Sequence, residues 1–252
     1  MKNTKIIEKY DKKPDLIMEF LALFNQIDKH LDKILWLDMY LPYNEKLKRV
    51  ISGNYTISWF IKLHQFQLRY FGEIRNQITH WIKLDWHTYV YPSTYAISQL
   101  AKYADNIKSP PRCIDIFGKP VFVCKESDKL EKIIKTMQDR NYSHVPVYND
   151  DEKYLYTITE SDILNWMSKN LWRDDLNKIE IHDLEIENPE NYIVFVNKKT
   201  NIYEIDELFT IKKQDNKKLW AVLITENGKE SDKLLWIITS GDTALIDTYV
   251  IH

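Results

Sequence analysis

Beyond residue 109 the chain states one pattern twice, at a spacing of roughly 75 to 80 residues, the length of a small domain rather than of a solenoid repeat. The first copy opens with a strand signal, Val121-Phe122-Val123. Ser127, four residues after Val123, is placed to cap a helix over Lys129–Met137, because a hydroxyl there accepts from an unpaired N–H of the first turn. Strand signals follow at His144–Tyr148 and Tyr154–Ile158 around an Asn149-Asp150-Asp151 turn. Thr159-Glu160-Ser161-Asp162 then leads into a helix over Ile163–Met167. The second copy keeps this order: Val194-Phe195-Val196, Thr200 at the same offset, and a helix through Ile205 and Leu208. Strands at Leu219–Ile224 and Leu234–Ile238 end in Thr239-Ser240-Gly241-Asp242, with a helix from Thr243. Short strands alternating with helices predict two α/β units of order β-α-β-β-α.

The paired Thr-x-x-Asp elements carry the chemistry. A carboxylate accepts two hydrogen bonds from a cis-diol, and a helix N-terminus offers free N–H groups to a phosphate. The same residues also make an ordinary helix start, threonine as N-cap and aspartate in the first turn. Set in register in both copies, they resemble the CBS (cystathionine β-synthase) domain pair. The resemblance implies two units packed through their sheets, with two clefts for adenosine-containing ligands. It implies that Asp162 and Asp242 accept from ribose hydroxyls and that Thr159 and Thr239 contact ribose or phosphate. Backbone groups of Val145–Tyr148 and Ala221–Leu223 would read the adenine edge. The implied ligand is AMP, ADP, ATP or a cyclic adenylate, acting as a regulator. Where that family often has glycine, this chain has Leu155-Tyr156 and Leu235-Trp236, and its second copy carries a charged hairpin, Glu226–Lys233.

The first half is of another kind. In Leu16–Trp36, apolar residues including Phe20, Phe24, Ile27 and Leu31 recur at three- and four-residue steps, the stripe of an amphipathic helix. Pro42 and Ser52-Gly53-Asn54 interrupt the pattern. A second long pattern runs from Ile57 to Ile82, and Pro92-Ser93 starts a helix over Tyr95–Tyr103. The adjacent prolines of Lys108-Ser109-Pro110-Pro111 stop a helix and favour an extended link. The expected fold is therefore α+β in two domains. A helical bundle occupies residues 1–107, and a CBS pair occupies 108–252, with units at about 110–170 and 180–252.

Within the second helical pattern lies Arg75-Asn76-Gln77-Ile78-Thr79-His80. Asn76 and His80 are one turn apart, as are Arg75 and Thr79, so the set forms a polar strip on an otherwise apolar helix. An Arg-x4-His element late in a small helical domain resembles the HEPN superfamily, many of whose members are metal-independent ribonucleases. RNA brings its own 2′-hydroxyl nucleophile, so an imidazole suffices for proton transfer and a guanidinium for the developing phosphate charge. The resemblance implies catalytic roles for Arg75, Asn76 and His80 in a cleft shared by two protomers, with single-stranded RNA as substrate. Arg69 and Glu73 read as auxiliaries or as surface charges. His64 and His87 read as structural. Trp59, Tyr70, Phe71, Trp81 and Trp86 are core residues by spacing, though aromatics also stack bases.

Composition sets the remaining bounds. Thirty-five basic and thirty-seven acidic residues give a formal charge of −2, which argues neither for nor against nucleic acid. The two cysteines, Cys113 and Cys124, fit no metal spacing and are too few for a disulfide framework, pointing to a reducing cytoplasm. The N-terminus lacks the apolar stretch of a signal peptide, and no 18-residue apolar run occurs. The expectation is a cytoplasmic homodimer with no metal and no cofactor for chemistry. In it a nucleotide-sensing CBS pair governs an endoribonuclease. The alternative is a non-catalytic sensor whose helical domain docks a partner protein.

Overall fold

The computed structural model describes residues 14–85, 90–117, 121–172, 175–184, 186, 192–214 and 219–250. The chain is α+β and divides into two compact units, Met1–Pro111 and Arg112–His252.

Every described regular element of the first unit is a helix: α1 Pro14–Ile34, α2 Tyr43–Ser52, α3 Ser58–Leu63, α4 Gln65–Asp85 and α5 Thr94–Lys108. On α1 the buried residues Ile17, Phe20, Phe24, Ile27 and Leu31 form the stripe that packs along α5, which answers with Ile97, Leu100, Ala104 and Ile107. Each such fully buried side chain contributes about 1.5–3 kcal/mol of transfer free energy. Lys46 of α2 is only 3% exposed. Its ammonium reaches two carboxylates one turn apart on α1, Asp28 at 2.7 Å and Asp32 at 2.6 Å.

The apolar pattern from Ile57 to Ile82 predicts one helix, and the structure makes two. His64 closes α3, its N–H donating to the Phe60 carbonyl, while its own carbonyl accepts from Leu68 in α4. The ring of His64 lies between Phe60, at 4.6 Å, and Tyr103, at 4.9 Å. Packing in the core thus fixes the break, in line with the structural role expected of His64. The turn before α3 is tied by Ser58, whose hydroxyl donates to the Val50 and Gly53 carbonyls and accepts from the Tyr55 N–H. A Cβ on Gly53 would meet the Tyr55 ring at 2.3 Å, so a larger residue there requires the ring to move. Trp59 and Phe71 are core residues, while Tyr70 is exposed. Trp86, His87 and the side chain of Trp81 lie outside the described residues.

The second unit begins with a short helix, α6 Cys113–Ile116, and holds two three-stranded sheets. The first sheet is β1 Cys124–Lys125, β2 His144–Tyr148 and β3 Tyr154–Thr159; the second is β4 Tyr192–Asn197, β5 Leu219–Thr225 and β6 Leu234–Thr239. In each, the first strand is parallel and the third antiparallel to the middle one. Helices α7 Leu130–Arg140 and α9 Ile202–Gln214 make the crossovers, and α8 Glu160–Lys169 and α10 Thr243–Val250 close the units.

Register corrects the sequence reading at the first strand. β1 covers only Cys124–Lys125, not Val121-Phe122-Val123, whereas β4 pairs over its full length. Pro146 of β2 accounts for the difference, since it has no N–H to give to a neighbouring strand. The corresponding residue of β5 is Leu223, set by the pairings Pro146 with Thr157 and Leu223 with Ile237. The partners Cys124–Val147 and Val196–Ile224 make Cys124 the counterpart of Val196. Alignment by sequence had matched Val196 to Val123, one residue away, and a one-residue slip exchanges the two faces of a strand. The helix starts also lie later than expected. Lys129, two residues beyond Ser127, precedes α7. In the second copy the cap is Asn201, one residue beyond Thr200, and Asn201 Oδ1 accepts from the N–H groups of Tyr203 and Glu204.

Candidate functional site

Both Thr-x-x-Asp elements fold into the same local device. The Thr159 backbone N–H and hydroxyl donate to Asp162 Oδ2 at 2.8 and 2.7 Å. Thr239 does the same to Asp242 Oδ2 at 2.8 and 2.9 Å. Each strand thereby ends in a reciprocal cap that leaves the aspartate's Oδ1 without a hydrogen bond among the described residues. The ordinary structural role of these residues is real in both copies.

Their surroundings differ. Thr239 and Asp242 line a cavity of about 390 Å³, opposite a wall built from the first copy. Phe122, Tyr142 and Trp236 give it aromatic surfaces, and the Phe122 and Tyr142 rings stack at 6.4 Å with 20° between planes. Arg140, the last residue of α7, and His144, the first of β2, stand in the same wall. Between them the chain turns through Asn141 in the left-handed conformation, φ 54°, an end that asparagine tolerates. The His144 ring is held by the Ser143 hydroxyl, 2.8 Å from Nδ1, and by the edge of Trp220 at 6.0 Å. One cleft thus offers a carboxylate oxygen for a diol, flat apolar faces for a base, and a guanidinium for an anion.

On the side of Asp162, the residues that correspond by register to Arg140 and Asn141 are Lys217 and Lys218, which lie outside the described residues. A hollow of about 570 Å³ beside β3, over Tyr154–Thr157, is faced by Glu126, His182 and Glu230. Of the backbone segments expected to read an adenine edge, neither Val145–Tyr148 nor Ala221–Leu223 reaches the Asp242 cavity; Tyr142, Ser143 and His144 are there instead. Sequence reasoning missed Phe122, Arg140, Tyr142, His144 and Trp236, which converge from both copies. Both cysteines are buried and unbridged, and burial pushes each thiol up to about 12, so neither is a nucleophile.

In the helical unit, the Arg75–His80 strip lies on α4. Arg75 is half-buried, its guanidinium over the Phe24 ring at 5.9 Å and its Nη1 donating to Asn76 Oδ1. Its Nε is buried without a partner among the described residues. Asn76 and His80 are exposed, and Thr79 back-bonds to the Arg75 and Asn76 carbonyls. Of the two auxiliaries, Glu73 is exposed and Arg69 is half-buried.

Comparison with known proteins bears on the first copy of the repeat. Residues 113–169 match the family model of the CBS domain, and the chain carries a CBS domain there. A curated relative, homoserine O-acetyltransferase of Methanosphaera stadtmanae, is 38% identical over 55 residues, which is 22% of this chain and 11% of that protein. The chain therefore spans about a tenth of that relative's length. Among solved structures, the CBS domain of a CBS-domain-containing membrane protein from Sphaerobacter thermophilus is 19% identical. It covers 59% of this chain and 96% of its own, with a TM-score of 0.43. The CBS domain pair of protein MJ0100, solved with 5′-methylthioadenosine and S-adenosyl-L-methionine, is 17% identical, covers 55% and 97%, and has a TM-score of 0.41. No helix among the described residues is long and apolar enough to cross a membrane.

Proposed function

We propose that this protein is a regulator responsive to an adenine nucleotide, AMP, ADP, ATP or a cyclic adenylate, bound in the Asp242 cleft. The observation that carries this is the convergence of Thr239, Asp242, Arg140 and three aromatic rings on one cavity. Asp242 Oδ1 accepts from the ribose diol, the rings sandwich the base, and Arg140 meets the phosphate through charge-assisted hydrogen bonds. The Asp162 element makes the same cap in the first copy.

For the helical unit, the packing of Arg75 on Phe24 supports a docking role over RNA cleavage. There the guanidinium lies over an aromatic ring, 5.9 Å from its centre. Ligand in the second unit would alter the output of the first only through unequal affinity for two arrangements of the protein.

Titration of the full chain with AMP and with adenosine tests the site. Arg140→Gln should weaken AMP by roughly tenfold or more, the scale of a charged hydrogen bond, and leave adenosine unchanged. Equal losses for both ligands would remove the phosphate from Arg140.

A further inference from the structure

Helix α1 is closed by a residue that its own backbone conformation disfavours. Past Ile34 the Trp36 N–H donates to the Lys33 carbonyl at 3.3 Å and the Leu37 N–H to the Asp32 carbonyl at 3.0 Å, the pattern that ends a helix through one left-handed residue. That residue is Trp36, with φ 51°. Glycine holds this conformation without strain, whereas in any other residue the Cβ crowds the following carbonyl oxygen. Packing does not offset the strain, because Trp36 is 91% exposed. Met39 and Tyr40, three and four residues on, are 73% and 88% exposed. Three large side chains within five residues thus stand in water on a turn that its hydrogen bonds hold in place. Strained backbone carrying unburied aromatic surface points to a contact outside the chain.

Charge decides what makes that contact. Lys33 lies one turn before Trp36 and Asp38 two residues after it, and both are exposed. Neither has an ion-pair partner among the described residues, since the neighbouring Asp32 is held by Lys46. A basic partner would oppose Lys33, and an acidic one would oppose Asp38. A second copy related by a two-fold axis at Trp36 satisfies both, because an isologous contact that pairs one residue with another also pairs the second with the first. Two copies bring together four aromatic side chains of about 150–250 Å² each. With the two methionines they come close to the roughly 1,200 Å² at which specific interfaces begin. A contact of that size is reversible, with a dissociation constant in the micromolar range.

We propose that the Trp36–Tyr40 turn is a contact between two copies of this chain. Trp36 packs on its symmetry mate, and Lys33 of each copy pairs with Asp38 of the other. The contact is independent of nucleotide binding in the Asp242 cleft.

Sedimentation velocity of the full chain without nucleotide, from about 1 to about 100 µM, tests the proposal, and the native protein should pass from monomer to dimer across that range. Trp36→Gly should stay monomeric throughout. At the dilute end, where the contact contributes nothing, it should melt about 2–4 °C above the native protein because the backbone strain is relieved. Lys33→Glu and Asp38→Lys should each weaken dimerisation at least about tenfold, by setting like charges across the axis. The two changes together should recover most of the native affinity. A native chain that remains monomeric at the highest concentration overturns the contact and leaves the turn to a different partner. Dimers that persist undiminished in Trp36→Gly, a double charge variant no tighter than the single ones, or a lower dilute melting temperature for Trp36→Gly overturn it as well.

Discussion

Asp242 is held by Thr239 through a single carboxylate oxygen, which accepts from the threonine's backbone N–H at 2.8 Å and its hydroxyl at 2.9 Å. The second oxygen is thereby aimed without being consumed. Thr239→Val keeps the shape and deletes the hydroxyl. We expect a loss of about 1 kcal/mol in urea unfolding and a several-fold weaker affinity for AMP, since the carboxylate is less well oriented. Unchanged affinity alongside the stability loss would make Thr239 a cap and nothing more.

Lys46 bridges Asp28 and Asp32 across two helices with its side chain 4% exposed. Lys46→Met fills the space and leaves two carboxylates facing each other on one helix turn. The breaking of a buried pair costs about 3–5 kcal/mol; because both carboxylates are about a third exposed, the expected loss is about 2–3 kcal/mol by denaturant unfolding. The additional change Asp28→Asn should restore part of it.

His30 gives the helical unit a pH dependence. Burial, and then Lys33, lower its pKa from the ordinary value of 6.5. The unfolded chain therefore binds the proton more readily, and stability rises with pH. The contribution is complete above 6.5 and is lost as pH falls below that value. The thermal midpoint of the native protein should drop more between pH 8 and pH 5.5 than that of His30→Gln; parallel profiles would place the titration elsewhere.

The packing of Arg75 on Phe24 predicts that purified protein incubated with single-stranded RNA in EDTA leaves the RNA intact, with or without AMP. Cleavage to a 2′,3′-cyclic phosphate, abolished in both Arg75→Ala and His80→Ala while their melts stay native, would restore the ribonuclease assignment.

The element order was legible in the sequence because periodicity reports which face of each segment is buried. The first amphipathic stripe, Phe20 to Leu31, became α1, and both Thr-x-x-Asp elements became strand-to-helix caps. The single helix drawn over Ile57–Ile82 failed at His64, where contacts with Phe60 and Tyr103 decide the break. The first strand was misplaced because local hydrophobicity favours Val121-Phe122-Val123, while the pairing is limited by Pro146, a residue 23 positions beyond Val123. Asp242 was visible as half of a motif. Its cleft was not, because Phe122, Tyr142 and Arg140 reach it from the other copy, and no spacing along the chain records that approach.

The central claim is that the Asp242 cleft binds the nucleotide. Calorimetric titration of the full chain with AMP, run on the native protein, Asp242→Asn and Asp162→Asn, tests it most directly. The account predicts that AMP binds the native chain and that loss of the charge-assisted bonds to the ribose weakens affinity by roughly tenfold or more in Asp242→Asn. It predicts that Asp162→Asn, whose cap is weakened, melts lower. Native affinity in Asp242→Asn would contradict it.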